Sequence, residues 1–199
     1  MSQFIESIKL LNGEYHNLHL HDERRHTTLL NFTGTKPFQS LYQLLDLEVR
    51  PLKGLYKCRI VYNLDSHFVE YVPYEMKRIQ SLKLVVSDMI EYNYKFEDRT
   101  EINELYWQKE NADDIVIVKN GFVTDASYAN LIFKFGNDWI TPNTYLLNGI
   151  MRQKLLMDGR IKEEEIRAKD VSKFGCVKLI NALVGMDGNE IQIDNLVRR

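Results

Sequence analysis

The stretch Leu146–Gln153, "LLNGIMRQ", opens a run that reads as helix, yet it places a glycine and apolar side chains where Ser, Thr or Asp would usually stand as the cap. A helix start leaves its first backbone N–H groups without intrahelical acceptors, and where no side chain takes them they can receive an external anion. Two further groups could do chemistry. Lys95 of "NYKFEDR" is an amine among the aromatic residues Tyr92, Tyr94 and Phe96; taken alone, it reads as a snorkelling side chain with its head in water. Asp125 of "NGFVTDASYAN" is an acid beside Thr124, where it could equally serve a turn.

The bulk composition limits what such groups can act on. The chain has 199 residues, 44% of them hydrophobic, enough for one large domain or two small ones closed around a cleft. The net charge is −2 and the pI about 6.2, with basic residues scattered among acidic ones, which argues against nucleic acid as a partner. Cys58 and Cys176 are far apart and in no ligand-like spacing, so neither a disulfide framework nor a metal site is expected. "MSQFIESIKLL" lacks a charged leader followed by a long apolar core, and no later segment has membrane-spanning length. The expected location is the cytoplasm, with no membrane partner.

The elements that must position these groups follow from the pattern. Asn12-Gly13 centres a hairpin in "FIESIKLLNGEYHNL". "HDERRHTTLLNF" predicts a helix with Leu29, Leu30 and Phe32 on its apolar side, and "QSLYQLLDLEV" a second. "GLYKCRIVYNLDSHFVEYVPY" alternates as two strands about "NLDS", after which Pro73 marks a link near 72–77. Further strands are expected from "KRIQSLKLVVSDMIEYNYKFED", then a helix at "RTEINELYWQKEN". Hairpins follow about Asn120-Gly121 and Gly136-Asn137, then the "NGIMRQ" helix, an acidic run from Lys162 to Glu165 read as a solvated helix face, and the strand "NEIQI". The cleft between the two halves is the default place for a ligand.

In order, "NYKFEDR", "NGFVTDASYANLIF", "WITP", "LLNGIMRQ" and "LINAL" resemble the fold-type IV pyridoxal-phosphate enzymes, the class IV aminotransferase family, which contains branched-chain and D-amino-acid aminotransferases and aminodeoxychorismate lyase. The resemblance covers most of residues 90 to 186 and, more faintly, "FIESIKLLNGEYHNLHLHDERRHTT". Its specific part is G-x-[VI]-T-[DE]-x-x-x-x-N, followed by T-P and L-x-x-G-[IT]-x-R. It implies a two-domain α+β fold of the D-amino-acid aminotransferase kind, with a small domain over 1–76 and a larger cofactor-binding domain over 77–199. The small domain is expected to be shortened: the family's first strand and glycine-rich lead-in are absent before "FIESI", and Ile5 stands where a tyrosine is frequent.

The resemblance also assigns roles. Pyridoxal phosphate needs an amine, an acid opposite its ring nitrogen and donors for its phosphate. By family position the amine is Lys95, held to the cofactor as a Schiff base and able to shuttle a proton. Asp125 takes the place of the ring acid, where relatives mostly carry glutamate; being one methylene shorter, it requires a closer ring or an intervening water. The phosphate is assigned to the backbone N–H groups of Ile150 and Met151, with Gly149 permitting close approach, to Arg24 of the H-x-x-R-like "HDER", and to Asn181 with the Ala182 backbone. His21 is expected to shape a corner, and Asn130 to hold the hairpin that presents Asp125. Arg152 is either paired on the helix surface or part of the site. Arg59, Arg78 and Tyr92 are candidates for substrate contact.

"NGIMRQ" and "NAL" lie closer to aminodeoxychorismate lyase, which forms 4-aminobenzoate and pyruvate for folate synthesis, than to the aminotransferases. The expected activity is therefore that lyase reaction on a small amino substrate, in a homodimer. The alternatives are an aminotransferase for a small branched-chain or D-amino acid, and a family member that binds the cofactor without catalysis.

Overall fold

The computed structural model describes residues 3–197. The chain divides into two compact units: one runs to Glu75 and takes in Tyr94–Asp98, and the other comprises Met76–Asn93 and the chain from Arg99 onward. No helix among the described residues is long and apolar enough to cross a membrane.

The first unit is a four-stranded antiparallel sheet of order β2-β1-β3-β4 with two helices. Its elements are β1 (Phe4–Leu11), β2 (Glu14–Tyr15), α1 (Leu18–Thr33), α2 (Leu41–Asp46), β3 (Leu55–Tyr62) and β4 (His67–Pro73). Asn12 and Gly13 both take positive φ (50° and 85°), the geometry a two-residue hairpin of this kind needs. Alternate residues of β1 and β3, among them Phe4, Ile8, Cys58, Ile60 and Tyr62, pack against Leu18 and Leu29 of α1 and Leu41, Leu44 and Leu45 of α2. Ser40 caps α2 in a reciprocal box with Gln43.

The inward stripe of α1 differs from the expected one. Leu29 is buried, but Leu30 and Phe32 are 40% and 45% exposed. The places they would have taken belong to His21, Arg25 and Thr28, which recur at helical spacing and are all buried. The polar inward residues are thus the informative ones.

The second unit holds β5 (Leu82–Val86), α3 (Thr100–Trp107), β6 (Asp114–Lys119), β7 (Phe122–Ala126), β8 (Asn130–Phe135), β9 (Asp138–Pro142), α4 (Ile150–Met157), β10 (Lys162–Glu164), β11 (Cys176–Ile180), β12 (Ile191–Gln192) and β13 (Leu196–Val197). The strand path is β10-β9-β8-β7-β6-β5-β13, with β11 pairing β8 and β12. Hairpins close at Asn120-Gly121 and at Gly136, each with positive φ. Val116, Val123, Leu131, Phe133 and Val177 form the centre of its core.

Two expectations are corrected. The run from Lys162 is an exposed strand, not a helix face: β10 lies parallel to β9, in register Lys162↔Ile140, because β9 presents an edge for it to pair with. The region from Arg78 to Asp98 contains one strand, β5, and then irregular chain. There Asp88 accepts from the Asn120 N–H at 2.7 Å and Lys119 Nζ donates to the Ile90 carbonyl at 2.7 Å, contacts that serve a loop in place of a ladder.

Candidate active site

In the second unit the site is built around the tight turn from β7 to β8. Asp125, at the end of β7, is 6% exposed. Its Oδ1 accepts from the Asn130 side-chain amide at 2.7 Å, and its Oδ2 from the N–H groups of Leu146 (3.0 Å) and Leu147 (2.9 Å). Burial raises the carboxyl against these donors and against the nearby Arg152 charge, leaving it up at about 6. A carboxylate oxygen has two acceptor directions. Among the described residues Oδ1 accepts from Asn130 alone, so by count one of its acceptor directions is unused.

Asn130 also donates to the Leu147 carbonyl at 2.9 Å, so one amide fixes both the acid and the chain leading into α4. A Cβ at Gly149 would stand 2.0 Å from Asn130 Oδ1; only glycine lets the chain pass there. Gly149 is the N-cap of α4 and offers no side-chain acceptor to the first turn. The helix that begins with Ile150 and Met151 thus presents main-chain donors near Asp125. Arg152 turns inward: it is 2% exposed, bonds Asn148 Oδ1 and the Pro142 carbonyl at 3.1 Å each, pairs with Glu163, and lies 4.1 Å over the Tyr145 ring. It braces α4 from within.

Asn181 follows β11. Its Oδ1 accepts from the N–H groups of Leu183 (2.9 Å) and Val184 (3.0 Å), closing a turn that includes the half-buried Ala182. A Cβ at Gly185 would lie 3.7 Å from Met151 Cε, which places this turn beside the start of α4.

In the first unit the site is a charged cluster under α1. Glu6 of β1 is fully buried; its Oε1 accepts from Arg24 Nε at 2.9 Å and its Oε2 from Arg24 Nη2 at 2.5 Å. His21 Nδ1 lies 2.6 Å from the same Oε2. Burial alone would raise the Glu6 carboxyl, but the Arg24 charge and the His21 hydrogen bond overcome it and hold the group down at about 2. Burial pushes the His21 imidazole down, so the neutral ring donates from Nδ1 and its Nε2 is a buried acceptor with no partner among the described residues. Lys95 is close enough for its charge to lower His21 further. Its segment runs along β1, the Ile5 N–H donating to the Lys95 carbonyl at 2.9 Å and the Glu97 N–H to that of Gln3 at 2.9 Å.

Arg59 bonds Glu70 Oε1 at 3.0 Å and Glu97 Oε1 at 2.8 Å, so its charge is already met by two carboxylates. Arg78 is exposed in the second unit, and Tyr92 is buried there. The structure therefore groups Arg24 with Lys95, and Asp125 with Gly149, Ile150, Met151 and the Asn181 turn.

The family model for class IV aminotransferases (Amino-transferase class IV) matches residues 101–187. An "Uncharacterized protein" of Haemophilus influenzae is 38% identical over 188 residues, 94% of this chain and all of that one. The chain belongs to the class IV aminotransferase family. A crystal structure of a "putative 4-amino-4-deoxychorismate lyase" from Haemophilus somnus 129pt superposes with a TM-score of 0.88 at 36% identity, covering 93% of this chain and 98% of the other. A hypothetical aminotransferase from Mycobacterium tuberculosis, in its PLP-bound form, shares the fold with a TM-score of 0.74 at 12% identity, covering 98% of this chain and 81% of that one.

Four residues that support these candidate groups were not singled out in the sequence: Glu6, Arg99, Asp114 and Ser127. Ser127, inside the β7–β8 turn, donates its N–H and hydroxyl to the buried Asp114 at 3.1 and 3.0 Å, while its carbonyl accepts from Arg99 at 2.5 Å. Burial raises the Asp114 carboxyl, countered by these donors and the Ile115 N–H. Glu6 did carry a signal: an acid at an inward position of an alternating apolar strand needs a buried partner.

Proposed function

We propose that this family member is a pyridoxal-phosphate-dependent lyase that converts 4-amino-4-deoxychorismate to 4-aminobenzoate and pyruvate. The observation that carries the reading is the near full-length similarity, at 36% identity, to the Haemophilus somnus protein described as a "putative 4-amino-4-deoxychorismate lyase". The residues present fit the cofactor by the chemistry of their donors: a buried acid with one acceptor direction open, a helix start without a side-chain cap, a guanidinium and an amine.

In this reading the N–H groups of Ile150 and Met151 hold the cofactor phosphate, with Arg24, Asn181 and the Ala182 backbone as further donors, and Gly149 keeps the approach clear. Asp125 would keep the ring nitrogen of the bound cofactor protonated. When bound, pyridoxal phosphate supplies an electron sink for the negative charge left by proton removal. Lys95 Nζ takes that proton and returns it; an amine can do so and a guanidinium cannot. Arg78 is the simpler receptor for a substrate carboxylate, since Arg59 would have to release Glu70 or Glu97, and Tyr92 is the third candidate on the substrate side.

The test is product analysis after supplying the protein with pyridoxal phosphate and 4-amino-4-deoxychorismate. Pyruvate and 4-aminobenzoate in equal amounts, abolished by Lys95→Ala, are expected. Amino-group transfer from a small amino acid, without those products, would assign the chain to the aminotransferases instead.

A further inference from the structure

An acid on the inward face of an apolar strand is costly unless it is paired and hydrogen-bonded. Glu6 shares its face of β1 with Phe4 and Ile8, and it is fully buried. Both its oxygens are taken by Arg24, through Nε at 2.9 Å and Nη2 at 2.5 Å, which fixes the plane of the guanidinium. His21 closes the cluster from Nδ1 at 2.6 Å, leaving its own Nε2 buried without a partner among the described residues. An imidazole placed at that cost to its second nitrogen serves the carboxylate. The Arg24 side chain keeps 14% of its surface exposed, whereas Glu6 and His21 keep none.

We propose that Glu6, braced by His21, is a positioning residue that fixes the Arg24 guanidinium for the phosphate group of the cofactor. The inference rests on the reading of Arg24 given under Proposed function. A long, flexible arginine held in one orientation before binding loses less freedom when the anion arrives, so the effect falls on the phosphate and spares the ring.

The experiment compares pyridoxal 5'-phosphate with pyridoxal, which lacks the phosphate, by quenching of protein fluorescence in the wild type, Glu6→Gln, Glu6→Asp and Arg24→Lys. The wild type should prefer the phosphorylated form. Glu6→Gln should weaken that form about tenfold while changing pyridoxal affinity by less than about twofold. Glu6→Asp keeps the charge but withdraws the carboxylate, and Arg24→Lys keeps the charge but loses the fork; both should show the same phosphate-selective loss, and they decide the matter should Glu6→Gln fail to fold. Equal losses for both ligands would mean a merely structural role and overturn the proposal, as would variants that retain the full phosphate preference. A wild type without that preference would instead defeat the reading of the phosphate site itself.

Discussion

At Asp125 two demands compete. In the proposed role the acid is buried to face a ring, and burial raises its pKa from 3.8 to about 6 despite three hydrogen bonds. An acid shifted upward by folding stabilises the fold while protonated, and that contribution disappears as pH rises through about 6. In the absence of cofactor, the stability of the wild type relative to Asp125→Asn should therefore fall by about 2 kcal/mol between pH 4 and pH 7, as read by urea denaturation at each pH. A difference independent of pH would show that the acid is not held in this environment. Glu6 has the opposite sign. Its carboxyl is held down at about 2 from 4.5, so its contribution is present above 4.5 and is lost as pH falls toward 2; the stability advantage of the wild type over Glu6→Gln should shrink across that interval. Of these groups Asp125 was singled out by its motif. Asp114 and Ser127 were not, because they support the turn from within the fold and their types suit any turn.

Among the elements, the start of α4 makes the strongest claim. Asn130 Oδ1 occupies the space a Cβ at Gly149 would need, and the Asn130 amide cannot swing aside without releasing Asp125 and the Leu147 carbonyl. Gly149→Ala should cost about 2 kcal/mol in denaturation experiments, and the loss should shrink in an Asn130→Ala background. Equal penalties in both backgrounds would place the strain elsewhere. The Asn-Gly hairpins were readable because positive φ at two successive positions selects those residues. The strand nature of β10 was hidden: its charged, exposed residues carry no inward-facing pattern, and only the neighbouring edge of β9 makes them a strand. The α1 stripe was misread for a related reason, since the helix buries His21 against Glu6 and Arg25 against the Gln39 carbonyl and the Tyr62 ring, and leaves Phe32 exposed.

Across the whole molecule, the fold class and the family were visible in five ordered motifs, since each is a local arrangement of turn, strand end or helix start that the chain must keep together. The division into units was less visible. Tyr94–Asp98, with Lys95, returns to the first unit by pairing along β1, a non-local contact that no local pattern announces. The homodimer implied by the resemblance predicts a solution mass near twice 23.5 kDa in sedimentation equilibrium, and a single-chain mass at micromolar concentration would contradict it. The chemistry as a whole depends on one amine meeting the cofactor. The protein should be loaded with pyridoxal phosphate, reduced with borohydride and digested, and its peptides weighed. The account predicts a pyridoxyl group on Lys95; an unlabelled Lys95, or label on another lysine, would contradict it.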